Sequence, residues 1–178
     1  MSGVESPAPG SPFWRFSLRF YRQPAVADAC IALQDEAGVD VNLLLFLLWQ
    51  AMGKRALSAD EVEELERGVG PWREAAVIPL RRMRRALKSS PPDLLSSAET
   101  ELFRTRIKAV ELEAERLQQE ALHGLARADA FGDEVASAAQ AARRNVAAYQ
   151  HICSKPFPQA AVATLLEALS GLERKPEE

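Results

Sequence analysis

The stretch VDVNLLLFLLWQAMGKR, residues 39–55, constrains this chain more than any other, because Leu43 to Trp49 are seven consecutive large apolar residues. A membrane span needs roughly 20 such residues, and this run is closed by Asp40 and Asn42 on one side and Gln50 on the other. It is too short to cross a bilayer. A secretory leader would lie at the N-terminus behind basic residues, whereas MSGVESPAPGSP is small, proline-rich and free of Lys and Arg. A helix that is apolar on every side belongs inside a bundle, and Asp40 stands where an N-cap would accept the first-turn N–H groups. Residues 41–52 are therefore expected to be the central, most buried helix.

The rest of the chain reads as helices around it. No run of β-branched or aromatic residues alternates with polar ones, so strand signals are nearly absent. Ser11-Pro12 opens the first helix, and Pro24 opens a second that Gly38 closes. Ser58 and Glu61 have capping-box spacing and start a short acidic helix to Arg67. Pro71 opens PWREAAVIPLRRMRRALKSS, which should bend at Pro79. After a Ser-Pro linker at 89–97, Phe103, Ile107, Val110, Ala114, Leu117 and Ala121 follow heptad spacing and predict a seam. Gly124 and Gly132 mark a turn, an Ala-rich helix follows over about 133–153, and a last helix turns Val162, Leu165, Leu166 and Leu169 inward. With 178 residues, 47% of them hydrophobic, one sizeable core is expected. The expected fold is all-α: an irregular multi-helix bundle with a central buried helix and a long antiparallel helix pair. Residues 1–12 read as a disordered tail, 13–170 as a single domain, with 93–170 as a helical-hairpin subdomain in one alternative, and 171–178 as a frayed end.

A net charge of −3 and a pI near 5.6 leave no global basic excess, so nucleic acid is not expected as a partner. Cys30 and Cys153 are too few and too far apart for a disulfide framework, which favours a reducing cytoplasm. On the first helix Phe13, Trp14, Phe16, Leu18, Phe20 and Tyr21 spread over one face and Arg15, Arg19 and Arg22 over the other. That is the pattern of a core-facing helix with a solvated back, or of a basic amphipathic helix meeting an acidic surface.

A denser basic feature follows: Arg73, Arg81, Arg82, Arg84, Arg85 and Lys88 share one helix. Either they pair with acids of the short helix and with Glu111, Glu113 and Glu115 of the long one, or they form an anion site, for which arginine forks are well shaped. Asp28 and Asp35 share a face at i, i+7, with Glu36 and Asp40 nearby. Those acids suggest a carboxylate ligand site, although the spacing is not that of an aspartate-rich diphosphate motif. His151 and Cys153 are two apart, on opposite sides of a helix, and cannot share a metal unaided. No metalloprotease, phosphate-loop or nucleophile-elbow motif is present. No catalytic residue, metal or cofactor is indicated.

The segments FWRFSLRFY, ACIALQDEAGVDVNLLLFLLW, the W…PLRRMRRALK helix and ELEAE, together spanning roughly residues 13–125, resemble a proteobacterial family of short proteins known as a domain of unknown function. The resemblance implies a coherent helical fold and a bacterial, cytoplasmic origin, and brings no activity or site residues with it. Residues 126–178 have no counterpart in it. Two functional expectations result. One is a non-enzymatic interaction or adaptor module, using Arg81, Arg82, Arg84, Arg85 and Lys88 beside the heptad helix and favouring a monomer, with a homodimer through 98–122 as the alternative. The other is a small helical enzyme or binder of phosphate- or diphosphate-containing ligands, in which Asp28, Asp35, Glu36 and Asp40 converge with the arginines on a concave pocket.

Overall fold

The computed structural model describes residues 10–89, 94–128 and 131–173. Among these residues eight α-helices follow one another: α1 (Pro12–Tyr21), α2 (Val26–Ala37), α3 (Val41–Met52), α4 (Ala59–Trp72), α5 (Ile78–Ser89), α6 (Ser97–Ala128), α7 (Ala138–Ile152) and α8 (Gln159–Glu173). Among the described residues the single extended pairing joins β1 (Arg55–Ala56) to β2 (Asp133–Glu134), antiparallel, with Arg55 opposite Glu134. The fold is all-α, as the sequence indicates.

Helix α3 is central. Asn42 to Leu48 and Ala51 are buried, and α7, α6, α1 and β1 pack around them. Asp40 caps the helix, its Oδ1 accepting the Asn42 N–H at 2.9 Å. Phe13 meets Phe46 edge-on at 5.4 Å and Trp49 at 5.5 Å, which anchors α1 on α3. Helix α8 covers α2 and α7 through Ala161, Leu165, Leu169 and Leu172. Val162 and Leu166 lie at the edge of that contact.

Asn145 of α7, fully buried, ties the β-ladder to the core. Its Oδ1 accepts the Leu57 N–H at 2.7 Å, and its Nδ2 donates to the Leu47 and Arg55 carbonyls at 2.9 and 3.0 Å. Asn145→Ala would leave buried backbone groups without partners and is expected to cost about 2 kcal/mol in a denaturant titration. At Gly132, φ is +75° and an added Cβ would come within 3.0 Å of the Ala56 carbonyl oxygen, so glycine is required where β2 begins.

Several boundaries differ from the sequence expectation. The second helix starts at Val26, because Ala25 takes a left-handed conformation after Pro24. The acidic helix does not stop near Arg67. Helix α4 runs through Gly68, Gly70 and Pro71, where the loss of a donor is tolerated, and continues through a π-helical turn at Arg73–Val77 into α5. That turn is the local answer to Pro79, which cannot donate to the preceding turn and whose ring crowds its carbonyl. The Ala-rich helix begins at Ala138, capped by Ser137. The expected linker and the tails fall partly on 90–93, 1–9 and 174–178, outside the described residues.

Helix α6 corrects the expected seam. Ala114 is buried and Ile107 half-buried, but Phe103, Val110, Leu117 and Ala121 are exposed. The inward face carries Thr100, Glu111, Gln118, Gln119 and Leu122 instead. Of the partners offered for the seam, α5 is the one α6 packs against. The two run antiparallel, with Arg81 and Arg84 opposite Glu115 and Glu111, and Gly68 beside Leu125.

Candidate functional site

One stripe from each of five helices lines an open cleft of about 540 Å³. Helix α1 gives Trp14, Ser17, Leu18 and Tyr21, with Arg22 at its C-cap, helix α2 gives Ile31 and Gln34, and α3 gives Val41, Asn42 and Leu45. Helix α5 contributes Arg81, Arg84 and Arg85, at i, i+3 and i+4, and α6 contributes Lys108, Glu111, Leu112, Glu115 and Gln119. In a chain of net charge −3 the wall holds five cationic side chains against two carboxylates.

The arginines are organised by α6. Arg81 donates to Glu111 at 3.1 Å and to Glu115 at 2.5 Å, and Arg84 grips both oxygens of Glu111. Glu111 is 6% exposed at its side chain, so this is a nearly buried carboxylate between two forks. Burial pushes its pKa up, but the hydrogen bond and charge of Arg84, followed by those of Arg81, outweigh burial and hold it below the ordinary value. Glu115, one turn on, moves the other way: burial raises it, and Arg81 offsets only part of that. Tyr21 is raised by burial and by the nearby Cys30 and Glu115. At the rim Arg85 holds Asp35 at 3.0 Å and lowers it by that hydrogen bond.

Beneath the floor lies a polar network. Asp40 Oδ2 accepts from Arg73 at 3.0 Å and from Gln118 at 2.6 Å, while its backbone N–H donates to the Tyr149 hydroxyl at 2.9 Å. Arg73 also reaches Glu66 at 2.5 Å. Gln118 accepts from the Asn42 amide at 3.3 Å, and Gln119 donates to Asn42 Oδ1 at 2.8 Å. The Ser17 hydroxyl and the Gln119 amide oxygen, both buried at the cleft floor, have no hydrogen-bond partner among the described residues.

The two residue sets named from sequence are only partly brought together. Arg81, Arg84 and Arg85 line the cleft, while Arg82 and Lys88 are exposed and outside its lining. Of the acids, Asp35 meets Arg85 at the rim, and Asp40 is spent on the α3 cap and the buried network. Asp28 and Glu36 are exposed and outside the lining. The carboxylates that do converge with the arginines are Glu111 and Glu115. The contributions of Tyr21, Ile31 and Lys108 were missed, and their signal was an apolar or basic residue placed off its own helix's buried face. Burial raises the thiols of Cys30 to about 12 and Cys153 to about 11, so neither is a thiolate near neutrality. Among the described residues no group of His, Cys, Asp or Glu could hold a metal ion, and no helix is long and apolar enough to cross a membrane.

No curated protein and no solved structure matches the chain. Residues 12–122, from the start of α1 to the last turns of α6, match a family described as a protein of unknown function (DUF2390). Every residue that lines the cleft lies in that span, and α7 and α8 lie beyond it. The match covers more than half of the chain, which belongs to this family.

Proposed function

We propose that this protein binds an acidic organic small molecule, bearing phosphate or carboxylate, in the cleft between α1, α2, α3, α5 and α6. The observation that carries the reading is the gathering of Arg81, Arg84 and Arg85, with Arg22 and Lys108, on one concave surface of an otherwise acidic chain. Convergent cations in a cleft of drug-like size are what such a ligand requires. The free thiols of Cys30 and Cys153 suit a cytoplasmic setting. Isothermal titration of the full chain with pyrophosphate, a nucleoside triphosphate and an alkyl phosphate tests the reading. At least one should bind, and Arg84→Ala should weaken it ten-fold or more. Silence from all three, or an unchanged affinity in the variant, removes the reading.

A second reading, a protein-interaction or adaptor module, rests on a different surface. Phe103, Val110 and Leu117 recur every seven residues on α6 and are 48%, 53% and 42% exposed. The cleft arginines expected to share that surface are paired with α6 acids on another side of the helix. A second copy of the chain is the simplest occupant of such a stripe. Sedimentation of the wild type beside Val110→Asp decides the point. A dimer that becomes a folded monomer supports it, and a wild-type monomer at all concentrations removes the second copy as the occupant.

A further inference from the structure

Four exposed large apolar side chains from three helices gather beside the cations of the cleft. Leu18, Tyr21, Ile31 and Leu112 are 38%, 39%, 47% and 50% exposed, and all four line the cleft that holds Arg81 and Arg84. Each leaves apolar area in water that a bound chain would cover, at roughly 25 cal/mol per Å². The charged groups in the same cleft of about 540 Å³ are five cationic side chains and two carboxylates, with Ser17, Gln34, Asn42 and Gln119 as the neutral polar lining. A bare phosphate would use the forks and leave the apolar side chains wet. An uncharged hydrocarbon would use those side chains and leave the forks unanswered. One molecule that satisfies both carries a single apolar chain and a compact acidic head.

We infer that the cleft binds a single-chain amphiphile with a phosphate monoester head, the head seated on the guanidinium groups of Arg81, Arg84 and Arg85 alongside their carboxylates and the chain lying against Leu18, Ile31 and Leu112. This rests on the acidic-ligand reading above and adds the apolar half of the ligand. Phosphate is favoured over carboxylate as the head because it offers three acceptor oxygens to several forks at once. Glu111 stays between Arg81 and Arg84, since a carboxylate only 6% exposed would be left buried and unpaired without them.

The test is calorimetric titration of the full chain with dodecyl phosphate below its micelle concentration, beside pyrophosphate, dodecanol and vesicles containing phosphatidic acid. Dodecyl phosphate should bind at least ten-fold more tightly than either pyrophosphate or dodecanol. The double substitution Leu18→Asp and Ile31→Asp should cost ten-fold or more. Both positions are already open to water, so the added charges are not buried and the fold, checked by circular dichroism, should persist. Arg84→Ala should cost a similar factor, and Arg85→Ala, at a half-exposed position, supplies a head-group variant safe for folding. Arg143→Ala, exposed on α7 and outside the cleft lining, should change nothing. If pyrophosphate binds as well as dodecyl phosphate and the double variant is silent, the amphiphile inference falls and the acidic-ligand reading stands. If dodecanol binds equally and the arginine variants are silent, both fall. Binding to vesicles without binding to monomeric dodecyl phosphate overturns the inference in favour of a membrane surface.

Discussion

Asp40→Ala is expected to lower the thermal midpoint by about 10 °C. The carboxylate is 4% exposed and answers three donors: the Asn42 N–H at the start of α3, the Gln118 amide and the Arg73 guanidinium. Removing it uncaps the central helix and leaves Arg73, itself only 20% exposed, with Glu66 and the outlying Glu74 as counter-charges. Breaking a buried pair from one side costs about 3–5 kcal/mol, and a domain of this size loses roughly 3 °C per kcal/mol. Asp40→Asn separates the components, since asparagine caps as well as aspartate but carries no charge. It should fall between wild type and alanine. Equal melting of Asp40→Asn and wild type would show that the cap alone matters and that the Arg73 pair adds nothing.

Glu111→Lys is expected to be comparably damaging, about 4 kcal/mol, because it sets a third cation against Arg81 and Arg84 in a nearly buried site. Glu111→Gln is milder, and its pH dependence reports the mechanism. The folded Glu111 is depressed below the ordinary 4.5, so its contribution is fully present above that value and is lost as pH falls through the folded pKa. The difference in melting between wild type and Glu111→Gln should be largest near neutrality and close in acid. Glu115 is raised, so its contribution is present below 4.5 and is lost as pH rises through the folded value. Glu115→Gln should therefore cost little near neutrality, or stabilise. A pH-independent difference for Glu111→Gln would show that the ion pair is not what it disrupts.

How far the sequence spoke depends on whether a residue's role was local. The apolar run and the Ser58/Glu61 and Asp40 caps are decided within a turn or two, and each appears in the structure as read. The inward face of α6 is not local. Heptad spacing picked Phe103, Val110 and Leu117, but Glu111, Gln118 and Gln119 win the inside because Arg81, Arg84, Asp40 and Asn42 wait there to satisfy them. The pairing of the arginines with α6 acids was foreseeable from charge alone. The cleft was not, because no single helix contributes more than one stripe to it. Asp28 and Asp35 looked like a site on one helix face, and only Asp35 has an arginine across from it.

The π-helical turn at Arg73–Val77 sets the angular phase of everything after it on that rod. It holds one residue more than an α-helical turn would, and one residue is worth roughly 100° of rotation about the axis. Arg73 faces Asp40 and Glu66 on one side of that turn, and Arg81 and Arg84 face Glu111 on the other. An insertion of a single residue is thus what lets one helix address two separate carboxylate sites. With all its residues wound as a regular α-helix, the rod would carry the arginine row about a quarter-turn away from α6 and strand Glu111; deleting Ala75 removes the extra residue instead, so the arginines should keep their face toward α6. The cationic wall of the cleft is thus placed by the spacing of backbone hydrogen bonds in a turn that does not itself line it.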